Sequence, residues 1–76
     1  MEFRLTIRFK AEDETQMAGF FQFIENNYPA TAVGGSADSE ALQCHATIVL
    51  PTLAATITTV QAFKDVFTMS YKLEIS

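Results

Sequence analysis

Polar and apolar residues alternate without a break over residues 2–10, and the same alternation returns twice farther along the chain. A period of two over this length is typical of a half-buried β-strand. The outward row of this first segment carries three of the five basic residues, Arg4, Arg8 and Lys10. Alternation over residues 42–50, which ends at Pro51, and over residues 69–75 predicts two further strands.

A helical period separates the first two of these strands. Asp13 is a good N-cap residue, and Gln16 is placed to complete a capping box. A helix is predicted from about Glu14 to Asn27, since Pro29 stops it. Its apolar stripe comprises five residues at helical spacing: Met17, Phe20, Phe21, Ile24 and Tyr28.

Two other segments are less regular. Between residues 30 and 40, Thr31 and Val33 predict a short strand, and Gly34-Gly35 predicts a turn. A second helix from Thr52 is predicted on a four-residue apolar stripe, although residues 56–60 are β-branched and have poor helix propensity. That stripe comprises Leu53, Ile57, Val60 and Phe67, with Phe63 flanking it.

The predicted order is strand, helix, short strand, strand, helix, strand. It resembles the split βαβ plan of ferredoxin-like domains, which implies one α+β domain over residues 1–76. The plan implies a four-stranded antiparallel sheet in the order fourth, first, third, second, with both helices on one face. The two central strands are nevertheless expected to run parallel. This fold hosts many functions and does not by itself indicate one.

The plan leaves one face of the sheet uncovered. Its predicted interaction residues are polar or basic: Arg4, Thr6, Arg8, His45, Thr47 and Lys72. The chain has nine acidic residues against five basic ones, a net charge of -4, and most of the acids fall outside this face. Such segregation can steer a charged partner. The alternative is a solvated face with pairs across strands, such as Glu74 with Arg4 or Lys72 with Glu2.

Phe23 lies about 120° from the apolar stripe of the first helix. It is predicted either at the margin of the core or as an anchor for a partner.

The remaining candidates for chemistry are isolated. Cys44 belongs to a core-facing row, where burial makes a thiol inert. His45 has no second His or Cys placed to complete a metal site. Ser36 and Ser39 are expected to lack a His base, so acyl transfer has no support. We therefore expect no enzymatic activity, no metal and no cofactor.

Charge and composition limit the classes of partner and the cellular location that the sequence predicts. A negative net charge, together with outward positions on the first and third strands that are not aromatic, argues against direct nucleic-acid binding. The chain has no 18-residue apolar span, and charged residues interrupt its beginning, so neither a membrane span nor a signal peptide is expected. A single cysteine indicates a reducing compartment, so a cytoplasmic protein is predicted.

These observations favour a small acidic, non-enzymatic protein-protein interaction module, a regulator or inhibitor. Phage-encoded inhibitors of nucleic-acid-handling host systems fit this profile. The alternative is a homodimer that senses small molecules and resembles regulatory ferredoxin-like domains. Its pairing sites would be the edge strands near residues 30–33 and 69–75.

Overall fold

The elements follow the predicted order in the computed structural model, which describes residues 2–67 and 69–75. They are β1 (Phe3–Lys10), α1 (Glu14–Asn27), β2 (Ala32–Asp38), β3 (Gln43–Leu50), α2 (Leu53–Val66) and β4 (Met69–Ile75). The sheet order is β2-β3-β1-β4, and all three strand pairings are antiparallel. The predicted ferredoxin-like α+β fold is confirmed.

The two central strands, β1 and β3, run antiparallel, so the expectation that they would be parallel is wrong. In the split βαβ plan, α1 carries the chain back so that β1 and β2 point the same way. β3 returns from β2 through a hairpin and lies between β2 and β1. It must therefore oppose both neighbours.

α1 has the predicted bounds and the predicted N-cap. The Asp13 carboxylate accepts a hydrogen bond from the Gln16 backbone N–H at 2.8 Å. The Gln16 side chain accepts one from the Glu12 backbone N–H at 2.6 Å, one residue before the cap. Two free N–H groups of the helix start are thus satisfied. The predicted stripe faces inward, with Phe20 and Ile24 buried and the other three members half-buried.

Aromatic rings join the two helices to the sheet. Phe9 of β1 stacks on Phe20 of α1 with ring centroids 5.2 Å apart. Phe23 of α1 meets Phe63 of α2 edge to face at 5.0 Å, and Phe67 lies within 5.7 Å of both Phe20 and Phe23. Each such pair contributes about 0.5–1.5 kcal/mol beyond the burial of its area. This cluster sets how both helices sit on the sheet.

α2 forms where a helix is predicted, but only half of the predicted stripe, Val60 and Phe67, lies against the core. Thr56, Thr59 and Phe63 are buried, whereas Leu53 and Ile57 are 49% and 58% exposed. The cause is the aromatic cluster. Once Phe63 points into it, the helical period of 3.6 residues turns the two threonines inward and the two aliphatic residues outward.

Buried threonines are tolerated because their hydroxyls have partners inside the helix. The Thr56 hydroxyl donates to the Thr52 carbonyl at 2.9 Å, and the Thr59 hydroxyl donates to the Ala55 carbonyl at 2.8 Å. A threonine that bonds the carbonyl one turn earlier leaves only its methyl group and the Cβ–H toward the core. The β-branched run is therefore compatible with a helix here.

Gly34 and Gly35 lie within β2, so the predicted turn at these residues is wrong. Neither glycine has a positive φ angle. The register of β2 against β3 shifts between Ala32 and Gly34, which marks a bulge at Val33. The bulge puts Ala32 on the helix side of the sheet and Gly34 on the other side, opposite Thr47.

The hairpin turn instead follows β2. The Asp38 carboxylate accepts hydrogen bonds from the backbone N–H groups of Glu40 and Ala41 at 3.0 and 3.3 Å. Leu42 has a φ of 56° and lies half-buried against the core. An aspartate that bonds its own downstream backbone starts a turn without needing glycine.

Of the described helices, neither is long and apolar enough to cross a membrane.

Candidate functional site

The strand register brings the predicted interaction residues of the three strands onto one face of the sheet, which we call the open face because both helices pack on the other side. Thr6 lies opposite Thr47 on one side and opposite Lys72 on the other. Arg8 lies opposite His45. Arg4 completes this set at the far end of β1, opposite Glu74. All six open-face residues are exposed or half-buried.

Phe23 is the one predicted interaction residue that lies elsewhere. It is half-buried in the aromatic cluster, within 6.3 Å of the Tyr28 ring and 5.0 Å of the Phe63 ring. The sheet separates it from the open face. Of the two predicted positions for Phe23, the margin of the core and a partner-binding anchor, the structure shows the margin of the core.

Most of the basic residues of the chain lie on the open face, and three of them form no ion pair within the described ranges. Four of the five basic residues lie on it: Arg4, Arg8, Lys10 and Lys72. The first three have no carboxylate oxygen within 4.0 Å among residues 2–67 and 69–75. Lys72 pairs with Glu74 two positions along its own strand, at 3.1 Å, so Glu74 does not bridge to Arg4. Exposed pairs of this kind contribute roughly 0–1 kcal/mol.

Polar side chains on neighbouring strands contact each other beside the basic residues of the open face. The hydroxyl oxygens of Thr6 and Thr47 are 3.3 Å apart. The Ser36 hydroxyl lies 3.2 Å from Nδ1 of His45. These cross-strand contacts hold hydrogen-bonding groups at fixed positions beside the basic residues.

The contact between Ser36 and His45 corrects one expectation, since Ser36 does have a histidine within hydrogen-bond reach. Its cause is β2, which continues past the glycines and pairs Ser36 with His45. An activated serine also needs a third group that orients the imidazole. Within the described part of the chain, Ser36 is the one side chain hydrogen-bonded to His45. This contact by itself is not a nucleophile site.

A shallow depression of about 670 Å³ lies on the open face near the end of β1. All four strands contribute to it, through Ser36, His45, Arg8 and Ser70 in one row. Lys10 and Asp38 line it in the next row. Reasoning from sequence missed Ser36 and Asp38 because it placed their segment in a turn. The spacing of two residues between Ser36 and Asp38, typical of side chains on one face of a strand, was the sequence signal that could have placed them together.

Cys44 is buried on the helix side, as predicted. Its Sγ donates a weak hydrogen bond to the Phe9 carbonyl at 3.6 Å. Burial raises the pKa of the Cys44 thiol, because the thiolate would lose its hydration. A thiol in this state is a poor nucleophile and a poor metal ligand. No group of three His, Cys, Asp or Glu side chains in the described ranges is placed to hold a metal ion.

A second exposed surface lies on the helix side, and we call it the apolar flank. It consists of five large aliphatic or aromatic residues of α2 and β4: Leu53, Ile57, Tyr71, Leu73 and Ile75. Lys64, on the same face of α2 as Leu53 and Ile57, has its Nζ 5.2 Å from the centre of the Tyr71 ring. This contact shows that the exposed face of α2 borders β4.

Comparisons with known protein families, with curated proteins and with solved structures find no match for this chain. The function is therefore argued from the two surfaces themselves.

Proposed function

We propose that this chain is a small non-enzymatic protein-protein interaction module, a regulator or inhibitor that docks its open face onto an acidic surface of another protein. The observation that carries this proposal is the row of three basic residues on the central strand β1, each without a carboxylate within 4.0 Å in the described ranges. With about 3.4 Å per residue, Arg4, Arg8 and Lys10 span roughly 20 Å. A row of that length fits an extended acidic segment.

The chemistry of the row favours carboxylates. An arginine guanidinium binds a carboxylate through two parallel hydrogen bonds, which gives orientation as well as attraction. Thr6, Thr47 and His45 lie beside the row and offer further hydrogen bonds to a docked backbone. Four of the five basic residues lie on the open face and most of the nine acidic residues lie elsewhere, so positive charge is concentrated on that face. A partner with a negative patch is thereby oriented as it approaches.

A polypeptide fits this face better than a nucleic acid. At the described outward positions of β1 and β3 the face carries arginine, lysine, threonine, glutamine, histidine and valine, so it lacks the phenylalanine, tyrosine or tryptophan rings on which RNA-binding sheets stack bases. A phage-type inhibitor that occupies an acidic surface of a nucleic-acid-handling host protein is one form of this function.

The test is binding of a defined acidic probe, poly-L-glutamate, followed by amide chemical shifts and by titration. Shifts are expected to concentrate at the open-face residues. Arg4→Gln combined with Arg8→Gln should weaken binding about ten-fold, because two charge-assisted contacts are removed.

The matched control is Gln22→Glu combined with Gln61→Glu, which changes the net charge equally but on exposed helix positions. It should change affinity less than two-fold, since screened charges across the molecule act weakly. Equal losses from both double variants, or shifts centred on the apolar flank, would refute the open face as the docking surface. Recovery of a cellular partner with the same variants then extends the test to the natural ligand.

A further inference from the structure

β4 is a regular edge strand, and its two charged side chains, Lys72 and Glu74, are opposite in sign. It pairs with β1 residue for residue, from Phe3 opposite Ile75 to Phe9 opposite Met69, and its other side faces away from the sheet. It contains no proline. The opposite edge, β2, is interrupted by its bulge at Val33 and by two glycines. Bulges and broken edges discourage pairing with other chains, whereas a regular exposed edge invites it.

The apolar flank runs along this same edge. Tyr71, Leu73 and Ile75 alternate on the helix side of β4 and are 47%, 39% and 63% exposed. Leu53 and Ile57 extend the surface from α2. A contiguous apolar surface on a small domain marks an interaction site. A partner that adds a strand to β4 would cover the apolar side chains of β4. It would at the same time bond the backbone N–H and C=O groups on the unpaired side of that strand.

We propose that the partner at this edge is a second copy of the chain, paired β4 to β4 in antiparallel register with Leu73 opposite Leu73. The charges on β4 select both the partner and the register. In this arrangement Lys72 of each copy lies opposite Glu74 of the other, on the open-face side. Tyr71 of each copy lies opposite Ile75 of the other, on the helix side. Two symmetric opposite-charge pairs thus flank an apolar contact at the axis.

The neighbouring registers are unfavourable because they either bring like charges together or leave a charge unpaired. Pairing centred on Lys72 places two lysines directly opposite each other, and pairing centred on Glu74 places two glutamates opposite each other. Like charges directly across strands are destabilising. Pairing centred on Tyr71 sets Lys72 opposite Ser70 and leaves Glu74 without a cross-strand cation. Only the register centred on Leu73 matches every charge on the strand with its opposite.

The resulting dimer has one continuous eight-stranded sheet. A two-fold axis perpendicular to the sheet keeps the helices of both copies on one side and joins the two open faces on the other. The apolar rows of the two β4 strands then lie side by side between the two α2 helices, shielded from water. This inference goes beyond the proposed docking function and does not depend on it.

The test is the molar mass of the full chain by light scattering and sedimentation over a range of concentrations. We expect twice the 8.4 kDa mass of one chain. Lys72→Glu and Glu74→Lys, each alone, should raise the dimer dissociation constant about ten-fold or more, because each replaces two attractive cross-strand pairs by two repulsive ones. An equimolar mixture of the two variants should regain the mass of a dimer, since every pair across a mixed interface is again of opposite charge.

Lys10→Glu is the control for charge, because it makes the same change on the open face but on β1, one residue beyond the stretch that pairs with β4. Val33→Glu is the control for the other edge. Neither should change the mass. A monomer at millimolar concentration would overturn the inference, as would a dimer that both β4 variants leave intact or one that Val33→Glu abolishes. Failure of the mixture to regain the dimer would overturn the register. The poly-L-glutamate test uses other variants, so the failure of one proposal is distinguishable from the failure of the other.

Discussion

Replacing Gly35 by alanine is expected to destabilise the protein, although alanine is normally the better residue in a folded chain. A Cβ atom built on Gly35 lies 2.8 Å from the backbone carbonyl oxygen of His45. It also lies 3.5 Å from the Ala46 Cα and from the ring of Phe21. The carbonyl belongs to the adjacent strand and cannot rotate away as a side chain would. β2 must therefore move away from β3, or its backbone must distort.

The adjacent Gly34 is a matched control with the opposite expected sign. No heavy atom lies within 4 Å of a Cβ built there, and the residue is extended. Gly34→Ala removes conformational freedom from the unfolded chain and should stabilise by about 0.4–1 kcal/mol. Overpacking at Gly35 should cost about 1–3 kcal/mol. The two variants, equal in composition and one residue apart, should then differ by roughly 1.4–4 kcal/mol in free energy of unfolding.

The assay is urea denaturation followed by circular dichroism, with thermal unfolding as the second measurement. For a domain of this size each kcal/mol shifts Tm by about 4–8 °C, so Gly35→Ala should melt at least about 6 °C below Gly34→Ala. If the two variants have equal stability, β2 does not approach β3 as closely as described. Loss of stability in both would place the cost in the glycine backbone and not in the contact.

Two further predictions follow from burial. Phe63→Ala should lower the free energy of unfolding by about 3–5 kcal/mol, because Phe63 is buried. Ile57→Ala should change it by less than about 1 kcal/mol in dilute solution, because Ile57 is exposed. Equal losses in urea titrations would mean that α2 is rotated about its axis so that Ile57 faces the core. Since burial raises the pKa of the Cys44 thiol, its proton stabilises the native state. That contribution is complete below the unfolded pKa of about 8.5 and is lost as pH rises through the higher native value. Cys44→Ala should therefore show a shallower fall in unfolding free energy above that pH than the natural chain, and identical slopes would contradict the shift.

Elements with a strong local signal are predicted well by the sequence. The cap at Asp13 and the stripe around Phe20 act within one or two turns, so α1 has the expected bounds. The alternation of β1 and β3 is likewise local, and it assigns Arg4, Arg8 and His45 to the open face. The candidate docking surface is thus largely contained in two strand patterns.

Other features depend on contacts between distant residues. Gly34 and Gly35 suit a turn by residue type, yet they lie in a strand because Asp38 supplies the turn and Gly35 permits a close approach to His45. Ser36 joins the open face only through that pairing with β3. A residue's local preference does not contain this information.

The sequence by itself determined the order of the elements and the two-sided character of the sheet, because a period of two or of 3.6 residues is a property of the chain alone. The tertiary structure decided the rotation of α2. Leu53 and Ile57 are more hydrophobic than Thr56 and Thr59, but one helix cannot bury both faces, and the aromatic cluster around Phe63 outweighs the aliphatic pair. The aliphatic residues are left exposed beside β4, and this exposed border is the basis of the proposed dimer.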